Sequence, residues 1–546
     1  MNRTFFLLLM VIVFYNCSSE DDSFHNQNLI LKDSLLAHIS TLASDDFQGR
    51  RPFTEGETKT ISYLQAQCQA LGLEPGNGNS FLQQVPLVEI KPKGTPEPSV
   101  QSKQGKMDFK NMEDFVIFTE RTDTSISIDN AGLVFAGFGV VAPEYNWNDY
   151  AGLDVKDKIV MVMVNDPGFT TKDSSLFKGK TMTYYGRWTY KFEEAARQGA
   201  KGCLIVHNTA AASYPFSVVQ NSNGGTKLHL DSRGSSNYQL GIEGWISEPS
   251  AMKILAAAGL DSTVFIKANQ AGFKPVDLGM KASAKLQTSV VFNTSNNVIA
   301  KIPGSTKPDE CIIYTAHWDH LGIGKPDANG DSIYNGALDN ASGTAAILEI
   351  ARAFINQKEK PERSIVFLFV TAEEQGLLGS AWYATHPIFP AEKTVANINL
   401  DVINANGPMK DISISGAGQS ELEDIFSEEI KKQGRYIAPE SRPEAGYYFR
   451  SDHFNFAKIG VPALTTDNGH EHATKGKEYG LQKEEEWNTK YYHQPDDEYD
   501  TTRWDITGAL QDIDVMFKVG QQLAYGAEWP KWKTGSEFKA IREAKR

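Results

Sequence analysis

Apolar and polar positions along the chain fall into three successive textures. Between residues 29 and 73 helical spacing dominates, as in residues 61–71, a run that Gly72 stops. A Lys/Pro/Gly/Ser-rich stretch at 91–106 interrupts it and reads as an exposed loop. From about 128 to 285 short β-like runs take over (Gly132-Leu133-Val134-Phe135-Ala136; residues 158–164), with helices between them. One of these helices covers 191–198 and ends at Gly199, ahead of a strand at 203–206. Past residue 290 strand and helix alternate regularly. Strands are expected at 297–302, 311–315, 365–370, 395–400 and 461–465, and helices at 345–354, 377–385 and 421–433. Such alternation implies an α/β fold, a mixed, mainly parallel sheet flanked by helices.

A length of 546 residues allows two or three domains. With 40% hydrophobic and 22% charged residues the composition is that of an ordinary globular protein. The net charge of −14 is spread over mixed acidic and basic positions, with no basic stripe, which argues against a nucleic-acid partner. The N-terminus stands apart. Arg3 precedes an apolar run over 5–15, too short to span a bilayer as a helix but suited to a signal-peptide core. Cys17 follows, then Ser18-Ser19-Glu20-Asp21-Asp22, which resembles the acidic export tag of bacterial surface lipoproteins. The expectation is a lipoprotein-type signal peptide over 1–17 and a tether over 18–28. Cys17 would carry the lipid, the only membrane contact, on an exported outer-membrane protein, surface-exposed or periplasmic. A plain secretory signal with an incidental cysteine is the other reading. Cys68, Cys203 and Cys311 are too scattered for a disulfide framework or a metal cluster; Cys203 and Cys311 read as buried thiols.

In open α/β sheets ligands collect at the carboxyl ends of strands. Here those ends are unusual. Strand 311–315 runs into Ala316-His317-Trp318-Asp319-His320, strand 365–370 into Thr371-Ala372-Glu373-Glu374, and strand 395–400 into Asp401; Gly336-Ala337-Leu338-Asp339 opens a helix between the first two. Taken singly, Asp339 reads as a helix cap, His317 as a hydrogen-bonded core histidine, and Glu373-Glu374 as first-turn acids. Taken together they crowd carboxylates that would repel without a cation. Mixed imidazole and carboxylate donors suit zinc.

Six ordered segments resemble the motifs of the M28 metallopeptidases: residues 316–322, 335–343, 371–380, 399–401, 450–454 and 491–497; residues 44–50 are similar to that family's N-terminal segment. The resemblance implies a zinc-exopeptidase fold with two zinc ions per chain. His317 and Asp401 would hold one, Glu374 and His493 the other, and Asp339 would bridge them. Glu373 would be the general base, Tyr492 the oxyanion stabiliser, and Asp319 the acid that orients His317. Asp452 and His453 would serve structure, Arg450 either a substrate group or an ion pair. His470-Glu471-His472 lacks the spacing that sets two histidines on one helix face and reads as a loop bordering the site. Residues 128–285 resemble a β-rich α+β protease-associated domain that shapes the cleft. The domain plan is thus 29–127 and 286–530 for the peptidase, with 128–285 inserted and a C-terminal tail over 531–546. Peptides are the expected substrates, cut from the N-terminus; alternatives are a carboxypeptidase, which Arg435, Arg442 and Arg450 would favour if they converge, and a lapsed, receptor-like relative.

Overall fold

The computed structural model describes residues 29–223, 225–234 and 238–544. The leader, the Cys17 anchor and the tether expected over 1–28 lie outside the described residues. Among those described, no helix is long and apolar enough to cross a membrane.

A single mixed sheet organises the molecule. Its principal strands are β1 (Leu82–Lys93), β2 (Phe115–Phe118), β3 (Ser125–Phe135), β4 (Ile159–Met163), β5 (Gly202–His207) and β6 (Ile242–Ser247). Then come β7 (Val276–Ile302), β8 (Lys307–His317), β9 (Arg363–Val370), β10 (Thr394–Asn399) and β11 (Ala463–Leu464). Their order is β11-β10-β8-β9-β7-β3-β4-β5-β6-β2. The first four strands of that order run parallel to one another, as do β3, β4, β5 and β6. The two parallel blocks meet on β7, antiparallel to both β9 and β3.

The 27-residue strand β7 is the main departure from the sequence reading, which had a strand only at 297–302. The boundary expected at 285/286 falls inside it. Its first part alternates strictly: Leu278, Met280, Ala282, Ala284 and Leu286 are buried, while Asp277, Gly279, Lys281, Lys285 and Gln287 face outward. That period of two marks a strand with one covered face. Its middle pairs with β1 and its end enters the second half of the sheet beside β9. The stretch 91–106, expected as a loop, carries the end of β1 and a small hairpin, Ser99–Ser102 with Gly105–Met107.

Strands β9 and β10 are buried throughout and β8 from Cys311 onward, as parallel strands covered on both faces must be. Helices α1 (Lys32–Leu42), α2 (Glu55–Ala70), α3 (Gly343–Ile355) and α4 (Thr507–Tyr525) supply apolar faces to this core. Separate apolar clusters fill the half built on β3–β6. The two halves are clamped together. Lys458 pairs with Glu193 at 2.8 Å, Lys178 with Glu537 at 2.9 Å, and Met182 N–H donates to Pro443 O at 3.0 Å. The segment past 530, expected as a tail, is docked: Trp532 and Phe538 are buried, and Trp532 Nε1 donates to Gly460 O at 2.9 Å. Cys68, Cys203 and Cys311 are free and buried; burial pushes the Cys68 and Cys311 thiols up to about 12.

Candidate metal centre

The carboxyl ends of β8, β9 and β10 open on one rim, and the side chains expected there meet. His317 Nε2, at the end of β8, lies 3.2 Å from Asp339 Oδ1 and 3.3 Å from Asp401 Oδ1. On the other side of Asp339, Oδ2 lies 3.3 Å from His493 Nε2, which in turn sits 3.0 Å from Glu374 Oε2. Two trios therefore share one carboxylate, each trio using a different oxygen of it.

Donor chemistry and spacing test whether these residues fit metal. Zinc bonds of about 2.0–2.2 Å in tetrahedral array put neighbouring ligand atoms about 3.3 Å apart. Three of the four contacts, at 3.2–3.3 Å, match that edge and the fourth, His493 to Glu374, is 3.0 Å. Each Nε2 also faces two carboxylates at once, although an imidazole nitrogen has a single hydrogen to offer. A cation at the centre of each trio satisfies all the lone pairs; a hydrogen bond satisfies one. The residues fit.

The surroundings explain how these side chains are held. Buried Arg50 donates from Nε to Trp318 O at 2.9 Å, from Nη1 to Leu42 O and Asn335 O at 2.8 and 2.5 Å, and from Nη2 to Gly336 O at 2.7 Å. It thereby ties the His317 loop to the Asp339 loop. Asp497 accepts the backbone N–H groups of Leu338 and Asp339, each at 3.0 Å. Asn340 donates to Leu400 O at 3.0 Å, and Ser451 Oγ donates to Asp401 Oδ2 at 2.6 Å. Gly343, which starts α3, has no room for a side chain: a Cβ would lie 2.3 Å from Leu400 O and from Asn340 Oδ1. Glycine is what lets this helix start close against the Asp401 loop.

Asp319 sits behind both His317 and Glu373. His317 Nδ1 meets its backbone carbonyl at 3.1 Å, while the carboxylate stands 3.8 Å away. The closer task of that carboxylate is to accept the Glu373 N–H at 3.0 Å. Glu373 Oε2 stays 4.0 Å from His317 Nε2, outside the trios.

Electrostatics separates the carboxylates. Burial and the charges of Asp401 and Glu374 raise Glu373 well above the usual carboxylate range, against the pull of His317. Burial lifts Asp319 to about 7. Glu374 is equally buried, yet His493 and His320 hold it down at about 2. Burial opposes charge on His317 and His493, but the carboxylates around them hold both well above the imidazole value.

The trios border a cavity of about 450 Å³, lined by Asp339, Glu373, Asp401 and Tyr492 and, from the other half of the molecule, by Ser213 and Tyr214. The Tyr492 ring stacks on His493 at 3.9 Å. The residue is 45% exposed overall, but enclosure of its hydroxyl and the charges of Asp339, Glu374 and Glu373 push that group above its usual pKa.

Other candidates are placed as follows. Arg442, Arg450 and His470 line the cavity; Arg435 does not, being held by Asp512 at 2.6 Å. His470 Nε2 pairs with Glu484 at 3.1 Å, while His472 Nδ1 accepts the N–H groups of Thr474 and Lys475. Asp452 accepts from Ser380 at 2.5 Å, and His453 is fully buried with both ring nitrogens unpartnered. The sequence reading assigned no role to Arg50, Asp497 or His320. All three lie inside the quoted motifs, but nothing in their spacing distinguishes a side chain that holds a loop from one that caps a helix.

Comparison with known proteins follows the same lines. Residues 297–517 match the model of Peptidase family M28. The chain is similar to the mouse protein "Aminopeptidase NAALADL1", 34% identical over 139 residues, which are 24% of this chain and 17% of that one. It is also similar to a "Probable zinc metalloprotease" of Pyrenophora teres f. teres, 39% identical over 106 residues, 19% of this chain and 22% of that one. The chain thus covers only 17% and 22% of the length of these relatives. Among solved structures it resembles an aminopeptidase from Aneurinibacillus sp. strain AM-1, with 19% identity, 92% and 94% of the two chains covered and a TM-score of 0.47. It resembles BSAP, a zinc aminopeptidase from Bacillus subtilis, with 18% identity, 93% and 97% covered and a TM-score of 0.41.

Proposed function

We infer that this chain, whose residues 297–517 match the M28 peptidases, is a two-zinc exopeptidase that removes N-terminal residues from peptides. One observation carries the reading: two imidazole–carboxylate trios share the two oxygens of Asp339. His317, Asp339 and Asp401 would hold one zinc, and Asp339, Glu374 and His493 the other. Bound there, the metals would polarise a peptide carbonyl and make a shared water acidic enough to attack it near neutral pH.

The rest is the work of the chain. Glu373, outside both trios and raised by burial, accepts a proton from the attacking water and passes it to the leaving amine. Asp319 fixes that base through the Glu373 N–H and fixes the His317 ring through its own carbonyl. The Tyr492 hydroxyl, kept protonated, donates to the oxygen that gains charge as the carbonyl carbon becomes tetrahedral. Ser213 and Tyr214 close the cavity from the half containing β3–β6, which acts as a protease-associated domain and favours short peptides. Export and anchoring through Cys17 belong to the same proposal; a mature chain whose mass shows no lipid on Cys17 would discard the anchor, and one that keeps residues 1–17 would discard export as well.

A carboxypeptidase is the second reading, favoured by Arg450. It lines the cavity, its Nη2 donates to Ala445 O at 2.6 Å and to Ser213 Oγ at 3.4 Å, and its Nε is left unpartnered. Matched peptides blocked at one end or the other decide between the two, with zinc measured on the same sample. Blocking the amine alone stops an aminopeptidase; blocking the carboxylate alone stops a carboxypeptidase.

A further inference from the structure

We propose that His320 is a positioning residue for Glu374, and that it secures the half of the metal centre formed by Glu374 and His493; the inference rests on the two-zinc reading. His320 belongs to neither trio, yet it is completely enclosed. Its Nδ1 lies 2.6 Å from Glu374 Oε1. The other oxygen, Oε2, is the one facing His493 Nε2 at 3.0 Å. The Glu374 carboxylate is therefore divided, one oxygen toward the trio and one toward His320.

Distance decides between two roles. Atoms sharing one zinc stand about 3.3 Å apart, and the trio contacts lie at 3.0–3.3 Å. A separation of 2.6 Å is too short for that edge and fits an N–H facing a carboxylate oxygen. The contact lies off the line of a straight hydrogen bond, which leaves Oε1 and both His320 nitrogens without an aligned partner.

His320 itself cannot move away. Gly336, at a φ of +59°, lies flat against the imidazole; a Cβ there would come within 2.5 Å of His320 Cγ. The His493 ring stands edge-on at 5.8 Å between centroids. The imidazole is thus a rigid stop behind one oxygen of a metal-binding carboxylate. Among the described residues the Glu374 carboxylate faces only His320 and His493, whereas Asp401 has Ser451, and the backbone of the Asp339 loop has Asp497.

The two nitrogens of the ring allow a position-specific test. An Asn side chain brings its amide nitrogen near the place of Nδ1, and a Gln side chain brings its own near Nε2. Zinc content and zinc affinity, read by chelator competition, are compared for the full chain and for His320→Asn, His320→Gln and His320→Leu. We expect His320→Gln and His320→Leu to retain one tightly held zinc and to bind the second about 10- to 100-fold more weakly, with His320→Asn close to the parent. Equal affinities in all four proteins, equal losses in Asn and Gln, or loss of both metals together would overturn the proposal. Should His320→Leu fail to fold, the Asn and Gln pair still decides it. A parent protein that never takes up two zinc ions would instead defeat the underlying reading.

Discussion

Both halves of the sheet contain four parallel strands whose carboxyl ends deliver polar residues, yet the fates of those residues differ. In the half built on β3–β6, β4 runs into Asn165 and Asp166, and β5 ends at His207, followed by Asn208. Every one of these is spent locally. Asp166 accepts from Gly168 N, Thr183 N and Thr183 Oγ at 3.0, 3.0 and 2.7 Å. Asn165 donates to Ala211 O at 2.8 Å, Asn208 accepts the Ala211 N–H at 3.1 Å, and His207 Nε2 meets Tyr214 O at 3.0 Å. Lys191 Nζ reaches Asn165 O at 2.8 Å and stands close enough to Asp166 to offset part of its charge. At the other strand ends the carboxylates face imidazoles in a shared cluster, and Asp319 Oδ2 and Glu374 Oε1 lack aligned partners. The lesson is that residue type at a strand end does not make a site. A carboxylate whose lone pairs are taken by backbone N–H groups is structural, and one whose lone pairs converge on shared space is available to a cation.

Mutations on the two sides should break in different ways. The largest effect belongs to Asp339→Ala: on the proposed two-zinc reading, hydrolysis is lost and zinc content falls from two per chain to none, as with a strong chelator, measured by elemental analysis after dialysis. Loss of a single zinc would show that the trios do not share Asp339. Next comes Glu373→Gln, with kcat reduced by about 10²–10⁴ and both metals retained, because this carboxylate stands outside the trios. A variant that also lost metal would move Glu373 into the ligand set.

On the opposite side, Asp166→Ala leaves three donors without their acceptor and should cost about 1–3 kcal/mol in a denaturant titration, with zinc content unchanged. A fall in zinc would mean that the two halves are not chemically separate. The smallest effect sharpens the contrast among histidines. His453 is buried away from facing carboxylates, and burial lowers its pKa to about 3, whereas His317 and His493 are raised. Between pH 6.5 and about 3 the unfolded chain binds the proton that the folded chain refuses. Stability from this group is therefore complete well above 6.5, falls by about 1 kcal/mol between 6.5 and 5.5, and falls by about 1.4 kcal/mol for each further unit until the pH nears 3. His453→Leu should remove about 1 kcal/mol of the change in stability between pH 6.5 and 5.5; an unchanged slope would show that His453 is not held neutral.

Much of the half built on β8–β11 was legible in one dimension. Runs such as Ile365–Val370 are apolar on every residue because both faces of the strand are covered, and the residue that breaks each run marks the rim. The strand β7 was legible in principle, since Leu278, Met280, Ala282, Ala284 and Leu286 alternate with outward-facing neighbours. Alternation marks a strand but names no partner, so nothing local revealed that one strand would serve both halves. Glu373 and Glu374 show the same limit at the site. Adjacent and identical in type, they part only in space, Glu374 3.0 Å from His493 and Glu373 held off at 4.0 Å from His317.

By itself the order of residues determined that strands and helices alternate past residue 290 and that acids and histidines stand at the turns between them. Both follow from short-range causes: burial on one or two faces sets the period, and a polar residue ends the run. Tertiary structure decided which oxygen of Asp339 meets which imidazole, why Arg50 and Asp497 are needed to hold the loops, and where His320 presses. Those are distances of about 3 Å between residues many tens of positions apart, and only the folded sheet brings such residues together.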